Sequence, residues 1–369
     1  MIYKRMKMIL VKLLLFQLCL YRICPHTIKY PPYYNSMGSY IAFHTFQYGF
    51  RNNDTTKLLS NRNYILSHLR SISTFKNTTF IYFTDHIETY IPFPSNCIQI
   101  LIPWTELVTK LEEFVNTTFP ALKASSYYHK LCDFKPLMKV FYPEYFNQYK
   151  WVGWIDNDLW FSTELEKFIL DYGDKGYSQL SMLEDDKKVS WGPISVFDWN
   201  FYRNYVSSEL RSEHYRQVIT TVFNIKRTVS FTEWGANVRD GFNLSMSSIL
   251  VNVYRENKDL KYLKAFQVIS KETVGQRNDN HCIKSQNRNC GQCTLKFKDG
   301  KLILFEFEEQ LNTTNTMYEG IFMCHFQCSK KSHLNPNSTY TITSTIDDVL
   351  SAETIVSSYS KGWYLPGYI

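Results

Sequence analysis

The feature that most constrains the fold of this 369-residue chain is a series of short, wholly apolar runs separated by segments of helical periodicity. "IAFHTF" from Ile41, "FIYF" over Phe80–Phe83, a run from Ile98 to Ile102 and "WVGWI" over Trp151–Ile155 each read as strands buried on both faces. Between them, Tyr64–Ser71 and "TELVTKLEEFVNT" place apolar residues at helical spacing, the second with Thr105 as the expected cap. Strands alternating with helices predict an α/β domain around a mixed, mostly parallel sheet flanked by helices. Such sheets bind ligands beyond the carboxyl ends of their strands. Asp85 follows the second run and Asp156-Asn157-Asp158 follows the fourth, so these acids are expected at one edge.

Further along, Ile194–Phe197 reads as a strand and "FYRNYVSSELRSEHYRQVI" as helix. The C-terminal third reads as a cysteine-containing β section. There Asp299-Gly300 lies between two alternating runs, a hairpin signal, and "MYEGIFMCHFQ" supplies a strand ending near His325.

The charge of +7 is misleading as a guide to partners, because residues 1–22 carry five lysines and arginines and no acid, leaving +2 for the rest. With a nearly balanced body and no basic stripe, nucleic-acid binding is not expected. The basic cluster precedes an apolar run from Met8 to Cys24 that is interrupted by Lys12, Gln17 and Arg22. This is the pattern of a secretory signal anchor or signal peptide over 1–24, the other reading being an amphipathic buried N-terminal helix. The targeting pattern implies a single-pass type II protein of the Golgi or ER lumen, or a secreted one, with a linker over 25–40, a folded domain over 41–335 and a tail over 336–369.

Cys97, Cys132, Cys282, Cys290, Cys293, Cys324 and Cys328 lie beyond that segment. In an oxidising lumen they suit disulfides, whose pairing spacing alone cannot assign; a zinc site built on the C-terminal cysteines is the other reading. Sequons at Asn53, Asn77, Asn116, Asn243, Asn312 and Asn337 permit glycosylation.

Two carboxylates on alternate residues of a strand end lie roughly 7 Å apart and repel unless a cation joins them. Mg²⁺ and Mn²⁺ take carboxylate oxygen, hold few protein ligands and fill the remaining positions with water and substrate phosphate. Asp156 and Asp158 therefore suit a cation on a nucleotide-sugar diphosphate, and His325 is a candidate third ligand. The alternative is a solvated turn with Asp158 capping the next helix. In "CDFKP", Pro136 predicts an extended Lys135 or a helix starting just after it. Lys135 suits a phosphate contact as a point charge, and Asp133 either orients Lys135, meets a ribose hydroxyl or caps a helix. Glu233, beside Trp234, has the type required of a base that takes the proton of an acceptor hydroxyl. Glu184-Asp185-Asp186 reads as a solvated turn.

The ordered pair of motifs, Lys130 to Pro136 (K-L-C-D-F-K-P) and Trp151 to Asp158 (W-V-G-W-I-D-N-D), resembles a GT-A-like glycosyltransferase family with K-L-C-D-[FY]-K-P and W-G-x-x-D-x-D motifs. The resemblance runs from Phe83-Thr84-Asp85 to His325-Phe326 and departs from the family pattern at Asn157 and Trp160. It implies a GT-A-like nucleotide-diphospho-sugar transferase fold and a Mn²⁺ (or Mg²⁺) ion on Asp156, Asp158 and His325, whose setting is similar to the histidine segment of glycogenin-like transferases. It also implies donor contacts from Asp85, Asp133, Lys135, Gly192 and Lys330 or Lys331, with Glu233 on the acceptor side. The implied function is transfer of a sugar from a nucleotide-sugar donor to a glycan, protein or lipid acceptor. The alternative is a catalytically silent sugar-binding or chaperone-like protein of the same fold.

Overall fold

The computed structural model describes residues 40–48, 63–87, 93–124, 130–181, 190, 192–225, 231, 245–264, 293–308, 313–321, 323–325, 354–358 and 362–364, all within the unit Ser39–Ile369. Among the expectations that fall outside these residues are the signal segment over 1–24, the linker over 25–40 except Tyr40, and the acidic run at Glu184. Among the described residues no helix is long and apolar enough to cross a membrane.

The expected strands form. They are β1 (Ile41–Gln47), β2 (Thr78–Thr84), β3 (Cys97–Leu101), β4 (Trp151–Ile155) and β7 (Ile194–Asp198), joined by β6 (Gln179–Ser181) and β8 (Tyr262–Lys264). Their order is β3-β2-β1-β4-β7-β6-β8. β1 pairs in parallel with β2 and β4, β2 with β3, and β6 with β8; β7 alone runs against its neighbours β4 and β6. The fold is therefore α/β, built on a mixed, mostly parallel sheet.

Alternate residues of each central strand enter different cores, which is why the runs are apolar throughout rather than alternating. Ala42, Ile81, Phe83, Val152 and Trp154 pack with α2 (Trp104–Val115), α3 (Leu131–Phe141), α5 (Glu213–Asn224) and α6 (Met246–Glu256). Ile41, Phe43, Phe80, Tyr82, Trp151 and Ile155 pack on the opposite face with α1 (Asn63–Ile72) and α4 (Thr163–Gly173). The close approach of β1, β4 and β7 requires Gly153, since a Cβ there would collide with the Ser195 carbonyl oxygen and the Phe43 ring.

Several local expectations are corrected. Thr105 lies inside α2, whose N-cap is Pro103. Helix α3 runs straight through Pro136, and Lys135 is helical rather than extended. The bond lost at Pro136 would have joined Cys132, in the first turn, while Phe134, Leu137 and Met138 are fully buried and hold the helix by packing. Asp133 is thus within the helix, not at its cap, and α4 is capped at Ser162, not Asp158. The long helix expected after β7 breaks into Trp199–Phe201, a π-helical section Tyr202–Val206 and Ser207–Leu210. A new helix, α5, then starts from Ser212, whose side chain caps Tyr215 N.

The C-terminal β section forms as a sheet ordered β11-β10-β9-β13-β14 (Thr313–Ile321, Lys301–Glu308, Cys293–Lys298, Thr354–Ser358, Gly362–Tyr364). The β9–β10 turn uses Asp299 and Gly300 at φ 51° and 76°, the left-handed pair that a tight hairpin demands. Two strands thus come from the region expected as a tail. Separately, β12 (Met323–His325) pairs antiparallel with β5 (Leu159–Phe161).

Candidate active site at the carboxyl edge of the sheet

Because β1, β2 and β4 are parallel, Gln47, Asp85 and Asp156 fall at the same edge of the sheet. Asp156 directly follows β4. Its backbone N–H donates to Pro193 O at 2.8 Å, fixing it against the "WGPIS" segment. Its side chain is 26% exposed, so one carboxylate faces the surface.

Lys135 reaches this carboxylate from α3. Its ammonium pairs with Asp156 and donates to the Gly192 carbonyl at 2.8 Å, while the side chain is only 3% exposed. Burial pulls Lys135 down, but the Asp156 carboxylate and the Cys132 and Asp158 groups more than offset it, leaving the ammonium above the ordinary lysine value. Three residues singled out from the sequence, Lys135, Asp156 and Gly192, are therefore brought into one cluster.

Asp158 is 3% exposed, on the turn between β4 and β5. The turn is tied to β1 by Asn157, whose Nδ2 donates to Phe46 O at 3.3 Å. The β5–β12 register sets His325 opposite Leu159, the residue after Asp158, so the backbone of the third candidate ligand lies beside the carboxylate pair. Asp85 stands half-buried just past Thr84. Thr84 Oγ1 contacts the Gln47 and His86 carbonyls at 2.8 and 2.6 Å.

Asp133 lies apart from the surface that the Asp156 carboxylate faces. Fully buried, it pairs with Lys130 at 2.7 Å and accepts from Phe231 N at 3.0 Å, and Lys130 also donates to Val222 O. The K-L-C-D-F-K-P stretch thus holds two anchors on one helix. Lys130 and Asp133 tie down α5 and Phe231, and Lys135 meets Asp156. Glu233 and Lys330 lie outside the described residues.

Sequence reasoning missed Asn157 and Gln47. Gln47 is 2% exposed, and among the described residues neither polar atom of its amide has a hydrogen-bond partner. Its only signal was its place at the end of an apolar strand.

Among the described residues no group of three or more His, Cys, Asp or Glu side chains could hold a metal ion. The two acids at the edge nonetheless suit a hard divalent cation. Mg²⁺ and Mn²⁺ commonly bind through one or two carboxylates and complete their shell with water and phosphate oxygen.

A family model described as "Family of unknown function (DUF6625)" matches residues 61–348. No curated protein matches the sequence. Among solved structures, mouse xyloside xylosyltransferase 1 in its apo form aligns over 79% of this chain and 98% of its own, at 9% identity and a TM-score of 0.39. The mannosyltransferase Ktr4p from S. cerevisiae aligns over 57% and 65%, at 11% identity and a TM-score of 0.31. The glycosyltransferase GlyE of Streptococcus pneumoniae TIGR4 aligns over 60% and 44%, at 10% identity and a TM-score of 0.26.

Proposed function

The chain belongs to the DUF6625 family, and on that premise we propose that it is a metal-dependent glycosyltransferase, moving a sugar from a nucleotide-sugar donor to a glycan, protein or lipid hydroxyl. One observation carries the reading: a surface-facing carboxylate, a buried carboxylate and a buried ammonium meet at the carboxyl edge of a mostly parallel sheet. That edge is where such folds bind ligands, and a diphosphate leaving group is the substrate part that needs this charge pattern.

In this reading Lys135 meets the diphosphate as a point charge, held in place by Gly192 O. Asp156 and Asp158 would hold Mn²⁺ or Mg²⁺, with His325 as the proposed third ligand; the bound ion supplies neutralisation of the leaving diphosphate. Asp85 is assigned to the nucleoside side and Lys330 to the donor phosphates. Asp133 acts through Phe231, the residue two before Glu233. Glu233 takes the proton of the acceptor hydroxyl as its oxygen bonds to the sugar and the bond to diphosphate breaks. The basic, apolar N-terminal segment supports a luminal, type II anchored setting.

The test is calorimetric titration of the full-length chain with a panel of nucleoside diphosphates, with and without Mn²⁺, beside the Asp156→Ala/Asp158→Ala double variant. We expect Mn²⁺-dependent binding of one nucleotide that the double variant loses. No binding by a folded wild-type chain would overturn the reading in favour of a non-catalytic protein.

A further inference from the structure

Beneath Lys135, on the sheet side of α3, lies a second basic pair that the reading above leaves unused. His44 projects from β1 and is completely buried. Its Nε2 lies 3.1 Å from the carbonyl oxygen of Lys135, and its Nδ1 lies 2.8 Å from that of Gly153. Gly153 is on β4, three residues before Asp156. Lys139, one turn beyond Lys135 on α3, is 1% exposed; its Nζ donates to Gly153 O at 3.1 Å and lies 3.3 Å from His44 Nδ1. Its Nζ sits among the rings of Phe146, Trp154 and Tyr202, at 5.0 to 5.3 Å from their centroids.

Packing alone does not account for this pair. The His44 ring contacts Phe46, Phe83 and Phe146 edge-on, so a phenylalanine would fill the same space. What a phenylalanine lacks is a polar link between the Lys135 and Gly153 carbonyls, one on the helix and one on the strand that carry the donor-site residues. A neutral ring donates from one nitrogen only, and Lys139 supplies the donor that the ring lacks. Burial, then the Lys139 and Lys135 charges, holds His44 well below the ordinary histidine value, so a neutral ring is the resting form.

We propose that His44, completed by Lys139, is the positioning residue of the donor site, fixing the distance between the helix that supplies Lys135 and the strand that supplies Asp156. The ring touches neither carboxylate: it donates to one carbonyl and Lys139 to the other, so that the pair acts through the backbone at both ends. The inference rests on the donor-site reading above and goes beyond it by assigning the alignment of the site to a residue outside it.

The experiment compares His44→Phe, His44→Gln and a stability control, Glu166→Gln. Glu166 braces the start of β2 by accepting from Asn77 N and Thr78 Oγ1, at the opposite edge of the sheet. Nucleoside diphosphate affinity in Mn²⁺ and the thermal midpoint are measured for each full-length chain. We expect His44→Phe to weaken binding at least tenfold and His44→Gln to restore it to within about threefold. Glu166→Gln should lower the midpoint with affinity unchanged. Unchanged affinity in His44→Phe, or an equal loss in Glu166→Gln, would overturn the proposal.

A wild-type chain that binds no nucleotide would sink the donor reading and leave the positioning claim to a second measurement. This is a double-variant cycle of His44→Phe with Lys135→Met, read by urea unfolding. Sub-additive destabilisation supports coupling between the two residues, and strict additivity overturns it.

Discussion

Gln47 closes β1 with a buried amide that has no hydrogen-bond partner among the described residues. Such a group costs about 1–3 kcal/mol, and an apolar side chain of similar size removes the cost. Gln47→Leu is therefore expected to raise the urea midpoint, by about 1 kcal/mol in unfolding free energy. A lower midpoint would show that the amide is engaged. Single residues such as this one and His44 are where the sequence was least legible. Nothing in "IAFHTFQ" says that its histidine faces two carbonyls rather than water, because both partners come from segments roughly a hundred residues away. Asp156 and Lys135 were legible by type and motif. That they touch was not, because the extended conformation expected before Pro136 gave way to the packing of Phe134 and Leu137.

Elements were read more securely, for a physical reason. Strands β1, β2 and β4 are buried on both faces, so their apolar runs are unbroken and few other structures accommodate them. The Asp299-Gly300 hairpin announced itself through the backbone its turn requires. The π-helical section over Tyr202–Val206 carried no such signal; its Tyr202 donates to the Pro136 carbonyl, a contact set by tertiary placement. Strand β4 depends on the missing side chain of Gly153, which lies against Ser195 O and Phe43. Gly153→Ala must push β7 or the Phe43 ring aside, and about 3 kcal/mol of stability should be lost, together with nucleotide affinity because β4 carries Asp156. Equal thermal midpoints for variant and wild type would contradict this packing.

For the whole molecule, the second face of the sheet buries another histidine, with consequences for acid stability. His68 lies 2.5 Å from Leu159 O and 2.8 Å from the Tyr82 hydroxyl, and desolvation by burial lowers it from 6.5 to about 4. The unfolded chain therefore binds this proton more readily than the folded one between those values. The contribution is complete above pH 6.5 and is lost as pH falls toward 4, by about 3 kcal/mol. His68→Leu should show a flatter decline of stability across that window than wild type. Parallel curves would place the proton elsewhere.

The β5–β12 pairing also has a temporal side. Leu159 and His325 are neighbours in space but 166 positions apart along the chain. A ribosome releases Asp156 and Asp158 long before it reaches the strand that lies beside them, and closing so long a loop is slow. A nascent chain can thus complete the β1–β4 half of its sheet while the strand beside its acidic turn does not yet exist. That partner arrives only when nearly nine-tenths of the polypeptide has been made, so premature termination anywhere before His325 would leave the turn without it.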